Sequence, residues 1–101
     1  MYIYLSNGFY LGFISNGFLY SRDGICIGWL EGNYVWDMEG KYRGGVIEIA
    51  GNKYILRRRF GLPPISRPPK GYIAPVTPLP PPSNIKPIDL AVDIIDAFMQ
   101  K

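Results

Sequence analysis

A chain of 101 residues carrying a net charge of +3 has room for one domain with a modest core. It contains one cysteine, Cys26, and no histidine. Those two facts exclude an internal disulfide, Cys/His zinc sites and any acid–base relay through an imidazole.

The opening stretch, MYIYLSNGFYLGFI, has no basic region ahead of its apolar residues, and asparagine and glycine interrupt it. No segment reaches the ~18 unbroken apolar residues of a membrane-spanning helix, so a cytoplasmic protein is the expectation. Glycine then recurs at Gly8, Gly24 and Gly40, and in parallel at Gly12, Gly28 and Gly44, sixteen residues apart each time. Aromatic residues keep the same step at Tyr2, Phe18 and Tyr34 and at Tyr4, Tyr20 and Trp36. Coincidence in several registers marks an internal repeat over 2–17, 18–33 and 34–49. A degraded fourth unit follows, with a two-residue insertion that brings Tyr54 to the position of Trp36.

Each unit reads as a hairpin. Asn7-Gly8, Asp23-Gly24 and Glu39-Gly40 sit midway between apolar runs, where a two-residue turn needs positive φ at both central residues. Asn16-Gly17, Gly32-Asn33 and Gly51-Asn52 separate the units, giving seven or eight strands of about five to six residues. Two-residue turns put Tyr20 opposite Ile27, Phe18 opposite Trp29 and Leu19 opposite Gly28. The first unit repeats this with Tyr4 and Leu11, Tyr2 and Phe13, Ile3 and Gly12. The third places Trp36 opposite Arg43 and Val35 opposite Gly44.

One face is therefore broad and aromatic, the other narrow, with aliphatic side chains set against glycine. In DGICIGWLEG this puts Ile27 and Trp29 on one face and Cys26 and Leu30 on the other, apolar on both sides. Cys26 reads as a small packing residue. An even repeat preserves facing from unit to unit, and a sheet with a small-residue face curls toward it. The expected fold over 1–62 is mainly β, a small closed or nearly closed antiparallel barrel of about four hairpins with pseudo-fourfold symmetry.

The runs Gly8-Phe9-Tyr10-Leu11-Gly12-Phe13-Ile14 and Gly24-Ile25-Cys26-Ile27-Gly28-Trp29-Leu30, followed by a proline-rich tail, resemble the four-fold β-flower proteins. The resemblance covers about residues 2–60 and implies a shallow antiparallel barrel of four hairpins, likened in shape to tubby-type barrels, with no established activity. No catalytic residue or cofactor comes with it. The third unit departs from the pattern, since Gly44-Gly45 leaves no aromatic there.

All ten prolines lie between Pro63 and Pro87, marking 63–87 as a proline-rich linker. PVTPLPPP, Pro75 to Pro82, favours polyproline II and serves either as a spacer strapped across the barrel or as a P-x-x-P ligand. Residues 88–100 then read as one amphipathic helix. Ile88, Ala91, Val92, Ile95, Phe98 and Met99 share a face opposite Asp89, Asp93 and Asp96, with Pro87 in the first turn. A helix this short needs a surface, either the barrel or a partner.

Arg57, Arg58 and Arg59, then Arg67 and Lys70, give five positive charges and no negative one from 57 to 70. They are candidate contacts for anionic lipid headgroups, or a solvated sheet end that pairs with Asp89, Asp93 and Asp96. Nucleic acid is disfavoured, because only Phe60 adjoins the charges as a stacking ring. Phe18, Tyr20, Trp29, Tyr34 and Trp36 form the candidate apolar surface. Of the barrel's early acids Asp23, Glu31 and Glu39 fall in turns, where acidic residues have local roles, and Asp37, expected opposite Tyr42, is the one acid within a strand, so a paired-carboxylate enzyme site is the disfavoured reading. The expected function is that of a non-enzymatic binding or scaffold module without a cofactor, recognising a lipid-like or amphipathic ligand or a protein partner. The alternative is an assembly protein that self-associates through its aromatic face.

Overall fold

The glycine-punctuated repeat folds as a meander whose ends meet. The structure, a computed structural model, describes residues 1–59, 61 and 64–98. Strands β1 (Tyr2–Tyr4), β2 (Tyr10–Ser15), β3 (Phe18–Ser21), β4 (Cys26–Glu31), β5 (Tyr34–Asp37), β6 (Tyr42–Ile49) and β7 (Asn52–Arg58) pair antiparallel in chain order. An odd number of meandering strands brings its two edges together parallel, and β1 meets β7 at Tyr4 and Tyr54. That closing pair is short. The rest of the β7 edge is taken by β8 (Ile94–Asp96), antiparallel, with Leu56 facing Asp96 and Arg58 facing Ile94. Asp96 ties this strand back to the first hairpin, its carboxylate accepting from the Ser6 amide at 2.9 Å and the Ser6 hydroxyl at 2.6 Å.

The hairpin turns differ from the expected two-residue form. Gly8 donates to the Leu5 carbonyl at 2.9 Å and Leu5 to that of Phe9 at 2.8 Å, so the loop holds three residues. Ser21–Ile25 and Asp37–Lys41 repeat this. Only the glycines, Gly8, Gly24 and Gly40, take positive φ there, which is the arrangement of a type I turn closed by a left-handed residue. The extra loop residue shifts the register by one near each turn. Tyr4 therefore faces Tyr10 rather than Leu11, Tyr20 faces Cys26 rather than Ile27, and Trp36 faces Tyr42 rather than Arg43. Ile3, Leu19 and Val35 do face Gly12, Gly28 and Gly44. The shift frees Leu11 and Ile27 to join the interior cluster while Cys26 packs outside with Tyr20.

The fourth-unit alignment is corrected as well. Gly45 faces Leu56 as Trp29 faces Trp36, so Leu56 and not Tyr54 takes that position. The turn between β6 and β7 is Ala50-Gly51, both with positive φ, instead of Gly51-Asn52.

Inside the barrel Ile3, Leu19, Val35 and Ile55 are almost completely buried, beside Ala97 and Phe98. Burying each such aliphatic side chain stabilises by ~1.5–3 kcal/mol. Ala97 and Phe98 come from the segment expected to be a helix, and that expectation is overturned. Among the described residues there is no helix; 94–96 is β8, and Met99 and residue 100 lie outside the described residues. The physical reason lies in the partners on offer. The open edge of β7 satisfies the backbone of 94–96, and the mouth of the barrel takes the Phe98 ring, with the Arg43 guanidinium 4.4 Å from its centroid. Arg43 also donates to the Ala97 carbonyl at 2.8 Å. A three-turn helix standing alone offers no comparable burial.

The described part of the proline-rich segment is a strap. Without regular secondary structure, it follows the hairpin turns back toward β1, with Arg67 donating to Gly40, Val76 to Gly24 and Ile85 to Gly8.

Candidate binding groove

The outer face of the barrel carries a belt of rings. Phe13 stacks on Tyr20 with centroids 5.4 Å apart, and Trp29 stacks on Trp36 at 5.2 Å, both consequences of direct cross-strand pairing. The strap lies over this belt. Lys70 holds its ammonium 4.6 Å above Trp29, and Arg67 its guanidinium 4.8 Å above Trp36 while bonding Glu31 through Nε at 3.0 Å and Nη2 at 2.9 Å. Ile73 packs on the Phe13–Tyr20 cluster, and the Tyr2 hydroxyl donates to the Pro80 carbonyl at 2.9 Å.

Of the candidate apolar surface, Tyr20, Trp29 and Trp36 are thus buried, Phe18 is half-buried, and only Tyr34 is exposed. Tyr34 stands edge-on to Trp36 and Tyr42. Cover for Trp29, the open question of a strand apolar on both faces, comes from the chain's own strap.

The belt is interrupted where Gly45 faces Leu56. Neither brings a ring, and a groove of about 690 Å³ lies there. Its floor is Tyr42, Gly45, Ile47 and Leu56, with Ile94 of β8 and Pro64 of the strap beside them. Arg57, Arg58 and Arg59, the end of β7 and the residue after it, line the same groove and are exposed. Burial, and then the neighbouring Tyr34 phenol, hold the Tyr42 hydroxyl protonated above its ordinary range.

The five basic candidates therefore divide. Arg67 and Lys70 clasp the strap to the tryptophans, whereas Arg57, Arg58 and Arg59 rim the groove. The expected pairing with Asp89, Asp93 and Asp96 does not occur among the described residues. Asp96 is engaged with Ser6, and Asp93 meets Arg59 only through a backbone bond of 2.6 Å from the Arg59 amide to its carbonyl. Asp37 works as a turn cap, accepting from the amides of Glu39 at 2.9 Å and Lys41 at 3.0 Å, and it sits across from Gly28 on one side. Cys26 is half-buried, its thiol pushed up by burial, with Sγ 3.5 Å from the Gly28 carbonyl.

Sequence reasoning singled out Gly44-Gly45 as a break in the aromatic pattern without seeing that the break makes a groove floor. It missed the three strap contacts at Gly8, Gly24 and Gly40. A signal for them was present, since Pro69, Pro78 and Pro87 stand nine residues apart.

Among the described residues no helix is long and apolar enough to cross a membrane. A sequence model of the family described as 4-fold beta flower protein matches residues 1–91. No curated protein and no solved structure matches the chain.

Proposed function

The chain belongs to the 4-fold beta flower family, and from that footing we propose that it is a non-enzymatic binding module that takes an anionic amphiphile in the groove over Gly45. The observation that carries the reading is the pairing of an apolar floor with three exposed arginines at one rim. Apolar contact with Ile47, Leu56 and Ile94 favours a hydrocarbon tail by ~0.8 kcal/mol per buried methylene. Each arginine near an anionic surface adds ~1 kcal/mol. The architecture we read beneath it is a pseudo-fourfold ring of hairpins, supported by the equivalent inward positions of Ile3, Leu19, Val35 and Ile55 and by the pairing of β8 with β7. Self-association through the aromatic face is the less supported reading, because Tyr20, Trp29 and Trp36 lie beneath the strap.

Co-sedimentation with anionic and with neutral phospholipid vesicles tests the proposal. Binding to the anionic vesicles alone, weakened by salt and lost in the Arg57→Gln/Arg58→Gln/Arg59→Gln variant, is the expected result. Absence of binding to both vesicle types sinks the lipid reading, and retention of binding in the triple variant removes the groove from it.

A further inference from the structure

The strap and the turns it crosses have matched periods. Gly8, Gly24 and Gly40 are sixteen residues apart, while the strap residues that reach them, Ile85, Val76 and Arg67, are nine apart and run in the opposite sense. Each contact is built alike. The strap amide donates to the glycine carbonyl, at 2.8 Å from Arg67, 3.0 Å from Val76 and 2.9 Å from Ile85. The carbonyl of the same strap residue lies against the glycine where a Cβ would stand. Proline follows two positions later every time, as Pro69, Pro78 and Pro87. At two of the three turns the next amide also bonds, Lys70 to the Met38 carbonyl at 3.0 Å and Ile88 to that of Ser6 at 2.8 Å.

Arginine at the first contact shares no side-chain chemistry with the valine and isoleucine at the other two, so what repeats at all three is backbone geometry, a proline and a spacing. Proline restricts the free segment to extended conformations and lowers the entropy lost on docking. The turn glycine performs two tasks at each contact, since its positive φ closes the loop and its bare Cα admits the strap carbonyl.

We infer that the rim of hairpin turns is a peptide-binding surface which reads an extended segment of the form X-x-Pro repeated every nine residues, and that residues 64–90 occupy it in cis. Recognition belongs to main-chain hydrogen bonding at fixed register, the logic by which other extended peptides are bound. The turn rim and its ligand class differ from those of the arginine-rimmed groove, which shares only Pro64 with the strap, and neither reading depends on the other. The 64–90 segment of a second copy of this chain fits the same rim once the cis segment is released.

The test uses the full chain with Arg67→Pro, Val76→Pro and Ile85→Pro together, which removes the three donors, and with Arg67 the clasp on Trp36 and Glu31, while keeping the segment extended. The probe is a fluorescent synthetic peptide with the sequence of residues 64–90. Tethering gives the cis segment an effective concentration on the order of millimolar, so the wild-type chain should resist the peptide. The triple variant should bind it at least about tenfold more tightly than wild type does. A control peptide with one glycine inserted in each interval should not bind. Failure of the triple variant to bind, or equal binding of both peptides, overturns the inference. Should the variant not fold, amide exchange in the wild type decides. The Arg67, Val76 and Ile85 amides should exchange at least about tenfold more slowly than that of Tyr72, and uniform exchange overturns the inference equally.

Discussion

Gly28 and Gly45 offer the same substitution in two opposite settings. A Cβ on Gly28 would stand 2.6 Å from the Trp36 carbonyl oxygen and 3.7 Å from Cζ of Phe98. Real Cβ atoms do not approach backbone oxygen that closely, so β4 and β5 must part by several tenths of an ångström. Neither strand can yield freely, because Trp36 is buried and stacked on Trp29. Overpacking of this kind costs ~1–3 kcal/mol, offset by the ~0.5–1 kcal/mol by which alanine is preferred to glycine within a strand. The 2.6 Å contact with a backbone oxygen puts Gly28→Ala in the upper half of that overpacking range, for a net loss of ~1–2 kcal/mol and a fall in Tm of about 5–15 °C for a domain of this size. The larger Gly28→Val should lose more, its added methyls pressing toward Phe98.

Gly45 is open by comparison, its nearest neighbour being the Asn33 oxygen at 3.6 Å. Gly45→Ala should be neutral or stabilising by up to ~1 kcal/mol while placing a methyl on the groove floor. Thermal unfolding followed by circular dichroism, with reversibility checked on a second scan, measures both. A Gly28→Ala protein melting within about 2 °C of wild type refutes the close β4–β5 approach. A Gly45→Ala protein that falls as far as Gly28→Ala refutes the open setting of Gly45.

Arg67→Ala removes a half-exposed ion pair with Glu31 and the cation over Trp36, and should cost ~1–2 kcal/mol in urea unfolding. Arg67→Lys should recover part of that, since the charge remains and the guanidinium plane does not. Asp96→Ala strips two hydrogen bonds from the barrel seam and should cost ~2 kcal/mol. Combined with Ser6→Ala it should lose clearly less than the two single losses added, because both act on one contact; full additivity would place Asp96 elsewhere. Tyr10 and Tyr54 are both raised above 10.0, burial being the first cause in each. Because the folded state holds these protons more tightly than the unfolded one, their contribution is complete below 10.0 and fades as pH climbs through the raised values. Phenolate absorbance should accordingly show a late-titrating fraction, and stability should decline over that same alkaline range. A titration with all tyrosines ionising together near the ordinary value would contradict the burial.

The sixteen-residue glycine and aromatic repeat was enough to specify a β barrel and the facing of Leu19 on Gly28 and of Phe18 on Trp29, and the first proline marked the end of the β1–β7 meander, though not of the sheet, which β8 extends. Those features are local, because a strand's period of two and a turn's glycine are decided by neighbours in the chain. The one-residue shift at each turn was harder to see. Asn-Gly and Asp-Gly fit both a two-residue loop and a three-residue loop with one left-handed glycine, and only the twist of the closed sheet distinguishes them.

The C-terminal segment was misread for a related reason. Ile88, Ala91, Val92, Ile95 and Phe98 suit a helix, yet Val92 is 90% exposed and Ile94–Asp96 pairs with β7. Periodicity in a stretch this short cannot compete with an unpaired strand edge and an open barrel mouth.

By itself, then, the sequence determined the repeat, the inward aliphatic column and the gap in the aromatic belt at Gly45. Tertiary structure decided what covers the tryptophans, where Arg57, Arg58 and Arg59 are gathered, and which segment closes the ring. These depend on contacts between residues far apart in the chain, such as Ser6 with Asp96 or Gly40 with Arg67. Such contacts exist only once the barrel has brought its first turn beside its last strand.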